Sequence, residues 1–136
     1  MKKILITGAN SYIGTSFERY IKENFADQYQ VDTVDMIDGS WKEKNFGEYD
    51  SVYHVAGIAH SDTGKVSEER KAFYYKINTD LTIETATKAK ADGVKQFIFM
   101  SSAIVYGDSA PIGKDKIITK DTPVNPANFY GRNWIK

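Results

Sequence analysis

The 136-residue sequence contains no cysteine and only three prolines, and its charges cancel. Without cysteine, the chain forms no disulfide and no thiolate metal site. The 18 basic and 18 acidic residues give a net charge of zero, so no overall field attracts nucleic acid or an anionic membrane. The apolar run near the start, Ile4 to Ile6, is too short for a signal peptide or a membrane span. We therefore expect a cytoplasmic protein.

What the sequence does contain is an alternation of strand and helix patterns, in a length that suits one domain with a hydrophobic core. Short apolar runs and helical spacing of apolar residues predict strands at 3–6, 31–35, 51–55 and 96–100, and helices at 12–24 and 67–91. Alternating units of this kind form a parallel sheet with helices on both faces. We predict a Rossmann-type, doubly wound α/β fold whose sheet stops after the fourth or fifth strand.

Two stretches interrupt this alternation. Residues 36–50 are too few for a crossover helix and another strand, so we expect irregular structure or one helical turn there. Residues 107–128 hold all three prolines and are typical of a surface loop, which could also cover a site. The last predicted strand, 96–100, is expected to form an exposed apolar edge of the sheet.

The segment from Thr7 to Gly14, TGANSYIG, has a glycine pattern typical of a dinucleotide-binding turn between a strand and a helix. Such a turn uses one glycine for a tight bend, a second for close approach to a pyrophosphate, and a third for packing of helix on strand. Gly8 and Gly14 fill the first and third roles, whereas Ser11 occupies the second. Its β-carbon would crowd a phosphate, although its hydroxyl and N–H could also donate to phosphate oxygens. A turn without a ligand is the alternative interpretation.

Asp35 ends the second predicted strand. A carboxylate at this place accepts hydrogen bonds from the adenosine ribose hydroxyls and repels a 2′-phosphate, which predicts NAD rather than NADP as the cofactor. A strand-ending turn residue is the alternative. The phosphate-loop pattern of nucleoside triphosphatases does not occur in the sequence.

Five segments follow one another in a characteristic order: TGANSYIG, YHVAG, KINTDLT, QFIFMSSAIVYG and ITKDTPVNPANFYG. They resemble segments of the extended short-chain dehydrogenase/reductases, the NAD-dependent epimerase/dehydratase family, and the resemblance covers essentially residues 3–132. The resemblance is closest to bacterial sugar-nucleotide epimerases, and it implies an NAD cofactor, a nucleotide-sugar substrate and a homodimer. We expect residues 1–136 to form an incomplete NAD(P)-binding domain that lacks the family's C-terminal substrate domain.

The resemblance also places a set of residues at the cofactor. By position in the five segments, this set comprises Gly8, Asn10, Ser11, Tyr12, Ile13, Gly14, Asp35, Val55, Ala56, Gly57, Asn78 and Met100. Ala59 stands where some epimerases have a lysine that contacts the cofactor. For Asn78 the alternative interpretation is a polar residue that caps or bends its helix.

For catalysis the family uses a serine or threonine, a tyrosine, and a lysine four residues after the tyrosine. The resemblance places Ser102 and Tyr130 at the first two positions, and Trp134 stands at the lysine position. A tyrosine has an ordinary pKa of about 10, which a nearby ammonium must lower before the phenol can accept a proton near pH 7. Because Trp134 carries no charge, we expect negligible turnover. On a continued helix, Lys136 is six residues after Tyr130 and is turned about 120° away from it, so it does not replace the missing lysine.

Ala103 and Ile104 bear on the type of reaction. Dehydratases of the family have an Asp-Glu pair here, because elimination of water needs an acid and a base. Alanine and isoleucine transfer no protons, so a 4-epimerase or a simple reductase is favoured, with a non-catalytic NAD-binding or interaction module and a non-functional fragment as alternatives. We expect His54 to be a packed strand residue and His60 a solvated loop residue, and no metal site is indicated.

Overall fold

The computed structural model describes residues 1–57, 67–127 and 129–135, without the side chains of Phe129 and Tyr130. Its centre is a parallel sheet of four strands in the order β2-β1-β3-β4. The strands are Lys2–Thr7 (β1), Tyr29–Val34 (β2), Ser51–His54 (β3) and Gln96–Phe99 (β4). The predicted doubly wound parallel sheet is confirmed, with the smaller of the two predicted strand numbers in the described part of the chain.

Helices cover both faces of this sheet. They are α1 (Tyr12–Asn24), α2 (Glu68–Tyr75), α3 (Leu81–Ala91) and the short α4 (Phe129–Asn133). On one face, α1 packs Ile21 against Ile6 and Val31 of the sheet, and its bounds are those that its apolar spacing predicts. On the other face, α3 contributes Ala89 to a cluster that contains Leu5. No helix in the described residues is long and apolar enough to cross a membrane.

The connection from β2 to β3 contains no further strand, as its length predicts. It makes two turns of 3-10 helix, Ser40–Glu43 and Phe46–Glu48. It also buries the rings of Trp41, Phe46 and Tyr49 against the same face as α3. The expectation of irregular structure is therefore confirmed, and this connection supplies a large part of the core because its aromatic rings take the place of a crossover helix.

The helix predicted over residues 67–91 is interrupted by a turn of π-helix, Lys76–Asp80, between α2 and α3. A π turn places one extra residue in the helix and shifts the face that points inward. Two polar residues, Asn78 and Thr85, are fully buried on this inner face. The hydroxyl of Thr85 donates to Leu81 O at 2.6 Å, which satisfies it within the helix and allows its burial.

The strand β4 forms one edge of the described sheet, as predicted. Its Ile98 side chain is 42% exposed, while Phe97 packs on the core beneath α3. After β4 the described chain contains a 3-10 turn, Ala103–Tyr106, and then a long irregular segment, residues 107–127, before α4. The surface loop predicted for residues 107–128 is therefore confirmed for the residues that the structure describes.

Candidate functional site

The carboxyl ends of the four parallel strands lie at one edge of the sheet, and the strand order reverses between β1 and β3. The chain passes from β1 to β2 on one side, and β3 lies on the other side of β1, which is where parallel α/β sheets bind ligands. Here Gly8 follows β1 and Ala56 follows β3. A side chain on Gly8 would come within 3.2 Å of Ala56 Cα, and the φ angle of Gly8 is +94°. Position 8 thus requires glycine for both contact and conformation.

The turn before α1 presents two backbone N–H groups at this edge. Ser11 caps the helix, since its Oγ accepts a hydrogen bond from Gly14 N–H at 3.0 Å and its carbonyl accepts one from Thr15 N–H at 2.9 Å. The remaining N–H groups of the first turn, those of Tyr12 and Ile13, have no partner among the described residues. At the positive end of the helix dipole they can bind an anionic pyrophosphate.

Ser11 therefore has a structural task that its place in the glycine pattern does not reveal. A β-carbon at position 14 would lie 2.6 Å from Ser11 Oγ. The serine cap therefore requires a glycine at position 14. Beside them, Asn10 adopts a left-handed φ of 67°, and the Tyr12 ring is 86% exposed. An exposed aromatic ring next to free N–H groups is a suitable wall for a bound nucleotide.

Asp35 lies one residue beyond β2, which ends at Val34 rather than at the predicted position. The turn after β1 is fastened to this strand end, because the N–H groups of Gly8 and Ala9 both donate to Val34 O, at 2.9 and 3.2 Å. Asp35 is exposed, and its Oδ1 accepts a hydrogen bond from Ile37 N–H at 3.0 Å. This bond orients the carboxylate through one of its two oxygens.

Beyond β3 the crevice ends at an aromatic side chain. Gly57 is exposed, and a side chain there would lie 3.1 Å from both Asn78 Oδ1 and Trp134 Cη2. The indole of Trp134 also packs on Phe99, the last residue of β4, with ring centroids 5.4 Å apart. The structure thus brings together three residues that the sequence analysis considered, namely Gly57, Asn78 and Trp134.

The remaining predicted cofactor residues lie beneath or beside the crevice. Val55 packs on the α1 side of the core. Met100 is half-buried directly after β4, and its N–H donates to His54 O at 3.1 Å. Both are held by the sheet at its carboxyl end, and their role at a cofactor stays a prediction.

Of the two predicted catalytic residues, the structure describes one side chain. Ser102 follows β4, and its Oγ accepts a hydrogen bond from Ile104 N–H at 3.4 Å, which caps the 3-10 turn. Tyr130 belongs to α4, but its side chain lies outside the described residues, as do His60 and the positions 59 and 136. The helix α4 is attached to the π turn, because the hydroxyl of Thr79 donates to Asn133 O at 3.0 Å.

A line of buried polar groups runs beneath the crevice from β1 to the π turn. Thr7 Oγ1 lies 2.7 Å from His54 Nδ1, and His54 Nε2 lies 3.0 Å from Thr82 Oγ1. The Thr82 hydroxyl donates to Asn78 O at 3.0 Å. Because Thr82 has one hydrogen to donate, His54 Nε2 must donate to it and Nδ1 must accept from Thr7. This arrangement requires neutral imidazole, and burial lowers the pKa of His54 to about 4. The expected packed histidine is confirmed.

A separate hollow of about 680 Å³ lies beside the 3-10 turn and is lined in part by Ala103 and Ile104. One wall is fastened by Lys116, whose Nζ donates to Tyr106 O at 2.7 Å and to Asp108 O at 2.8 Å. Ala103 and Ile104 bring no titratable group to it. In the parts of the chain that the structure describes, no cluster of His, Asp or Glu could hold a metal ion.

The residues of the crevice fit one half of NAD closely. The N–H groups of Tyr12 and Ile13 suit its pyrophosphate, and the carboxylate of Asp35 suits its adenosine ribose. At the other end, Trp134 has no charge with which to hold the second ribose.

Comparison with known proteins agrees with this geometry. The chain matches the sequence model of the NAD-dependent epimerase/dehydratase family over residues 4–134. It is 32% identical, over 139 aligned positions, to a UDP-glucose 4-epimerase of Cyamopsis tetragonoloba, covering 98% of this chain and 37% of the plant enzyme. The human UDP-glucose 4-epimerase is 29% identical over 117 positions, which are 85% of this chain and 32% of the human one.

Solved structures show the same fold. UDP-glucose 4-epimerase from Bifidobacterium longum, in complex with NAD⁺ and UDP, superposes with a TM-score of 0.72 at 26% identity. The alignment covers 98% of this chain and 46% of that protein. A short-chain dehydrogenase/reductase superfamily protein from Agrobacterium tumefaciens, with bound NAD, gives a TM-score of 0.72 at 20% identity, over 98% of this chain and 42% of that one.

This chain therefore spans less than half the length of these relatives. The family is NAD-dependent, which confirms the cofactor expected from the sequence. The matched region contains the glycine-rich turn, the strand ends and the Ser102 segment described above. The chain belongs to the NAD-dependent epimerase/dehydratase family.

Proposed function

We propose that this chain is the NAD-binding part of a nucleotide-sugar 4-epimerase that acts on a UDP-sugar or a similar substrate. The observation that carries the proposal is the pairing of two free N–H groups, those of Tyr12 and Ile13, with the Asp35 carboxylate at the same end of the sheet. The two elements are joined through Val34 O. The names of the curated relatives, among them plant and human UDP-glucose 4-epimerases, support the choice of reaction.

In the proposed reaction the C4 carbon of the sugar loses a hydride, and the C4 hydroxyl loses a proton. NAD, when bound, would supply a hydride acceptor and then a hydride donor, so that C4 would be oxidised transiently and reduced again with inverted configuration. The chain supplies the proton acceptor, assigned to Tyr130, and a hydroxyl that orients the substrate, assigned to Ser102. A dehydratase would need further acid and base groups, and Ala103 and Ile104 provide none.

We further propose that turnover by this chain is negligible. The pKa of a tyrosine without a neighbouring cation is about 10, so only about one molecule in a thousand is ionised at pH 7. Trp134, at the position of the family's lysine, supplies no cation. The same observation favours a second candidate function, a non-catalytic NAD-binding module, in which the site at α1 is used for binding alone. A nucleotide-sugar reductase would use the same groups and is a third candidate.

Isothermal titration of the chain with NAD tests the binding site. Asp35→Asn keeps an oxygen for Ile37 N–H but removes the charge, and it should weaken NAD binding about tenfold. Asp38→Asn, in the same exposed segment, is the matched control and should leave the affinity unchanged. If the folded chain fails to bind NAD, or if both variants weaken binding equally, the proposed site is wrong.

A spectrophotometric 4-epimerase assay with UDP-glucose separates the first two candidates. Measurable turnover would favour the epimerase, while NAD binding without turnover would favour the binding module. The homodimer and the cytoplasmic location expected from the sequence stay predictions, and light scattering of the purified chain tests the first of them.

A further inference from the structure

The side chain of Trp134 lies across the crevice at the carboxyl ends of β3 and β4. Its Cη2 atom comes within 3.1 Å of the place where Gly57 would carry a β-carbon. Its ring also packs against Phe99, with centroids 5.4 Å apart. Gly57 is exposed and Trp134 is half-buried; the Cη2 edge of the indole faces Gly57, while its Nε1 atom is buried.

This indole is held in position from below. Phe99 packs in turn on the ring of His54, at a centroid distance of 6.2 Å, and both ring nitrogens of His54 are hydrogen-bonded. The backbone of the segment is fixed as well, because Trp134 N–H donates to Gly131 O at 3.2 Å. The Thr79 hydroxyl holds the preceding carbonyl. A ligand that needs the space of the indole must therefore break a packed column of rings.

The direction of a dinucleotide in this crevice follows from its two ends. Asp35 lies beyond β2 and takes the adenosine ribose, and the pyrophosphate lies at the start of α1. The second nucleoside must then extend past Gly57, towards β3 and β4. Trp134 lies on this path.

We infer that Trp134 closes the nicotinamide end of the crevice, so that the chain recognises the adenosine diphosphate portion of NAD and gains no affinity from the nicotinamide ring. The inference rests on the proposed NAD site and specifies its ligand class, namely adenosine diphosphate compounds with a small group on the second phosphate. ADP-ribose, which lacks only the nicotinamide, should bind as tightly as NAD.

Isothermal titration of the 136-residue chain with NAD and with ADP-ribose tests the inference. We expect the two dissociation constants of the unaltered chain to agree within about threefold. Trp134→Ala opens the end of the crevice and should tighten NAD binding by about tenfold relative to ADP-ribose. Trp41→Phe, in the core away from the crevice, should leave the ratio of the NAD and ADP-ribose dissociation constants unchanged. In this variant Trp134 is the single remaining indole, and its fluorescence should respond equally to both ligands.

The outcomes are distinct. NAD binding to the unaltered chain more than about threefold tighter than ADP-ribose overturns the inference, because the nicotinamide ring then contributes to affinity. Equal gains for both ligands, or none, in Trp134→Ala also overturn it. Failure of both ligands to bind the folded chain refutes the proposed NAD site itself. If Trp134→Ala does not fold, the comparison of ligands on the unaltered chain decides alone.

Discussion

Acidification should destabilise this fold through His54, which lies fully buried between Thr7 and Thr82. The hydrogen bonds described above require neutral imidazole, and burial lowers the pKa of His54 from 6.5 to about 4. Between these values the unfolded chain binds more protons than the folded chain. The contribution of His54 to the free energy of unfolding is therefore fully present well above pH 6.5 and is lost as the pH is lowered from 6.5 towards 4.

The size of the effect follows from the shift. Each pKa unit corresponds to about 1.4 kcal/mol, so a shift from 6.5 to about 4 corresponds to about 3 kcal/mol over the full range. At about pH 4.5 the expected loss is about 2.5 kcal/mol, a large part of the stability of a small domain.

Urea unfolding followed by circular dichroism, at about pH 7.5 and about pH 4.5, measures this loss. His54→Gln is the informative variant, because its amide can accept from Thr7 and donate to Thr82 but does not titrate. Its free energy of unfolding should fall about 2.5 kcal/mol less than that of the unaltered chain, while the titration of carboxylates is common to both. His60→Gln, at the other histidine of the sequence, is the matched control, and it tests whether the difference is specific to His54. Equal losses in the unaltered chain and in His54→Gln would refute the reasoning.

Two further predictions concern single contacts. Ser11→Ala removes the cap that accepts from Gly14 N–H and should lower the free energy of unfolding by about 1 kcal/mol in urea, whereas Ser109→Ala, in an exposed loop, should change it by less than about 0.5 kcal/mol. A loss no larger than that of Ser109→Ala would show that the cap is not stabilising. Lys116→Met removes two hydrogen bonds to loop carbonyls and should speed cleavage of this loop in limited proteolysis at least about threefold, since local opening becomes easier. The same rate for Lys116→Met and for Lys114→Met would contradict this role.

The sequence predicts α1 and the strands well because their signals are local. Ile21 and Phe17 recur at helical spacing, so the bounds of α1 follow from the apolar pattern, whereas the cap formed by Ser11 is seen only in the structure. The π turn could not be predicted from the sequence, because Asn78 and Thr85 are polar and their burial depends on hydrogen bonds that form only in the fold.

The site was predictable in part for the same reason. The conformation of Gly8 and the position of Asp35 at a strand end could be predicted because both depend on local backbone structure, while the cofactor role of Asp35 stays a prediction. The sequence presents Trp134 as the loss of a charge, but the position of its indole against Gly57 and Phe99 depends on the packing of distant elements. No spacing rule contains that information, nor does any predict the aromatic cover that Trp41 provides.

The carbonyl of Val34 has a consequence for how ligands are recognised. It accepts hydrogen bonds from Gly8 and Ala9, so the turn that we propose as the phosphate site and the strand end that carries Asp35 form one rigid unit. Their spacing is set before any ligand arrives, and in the proposed site a molecule that contains both a ribose and a pyrophosphate would bind as a chelator does. Its second contact forms at high effective concentration, at little further cost in entropy. Adenosine and pyrophosphate added as separate molecules would not reproduce the affinity of the joined compound, because each would have to be ordered independently.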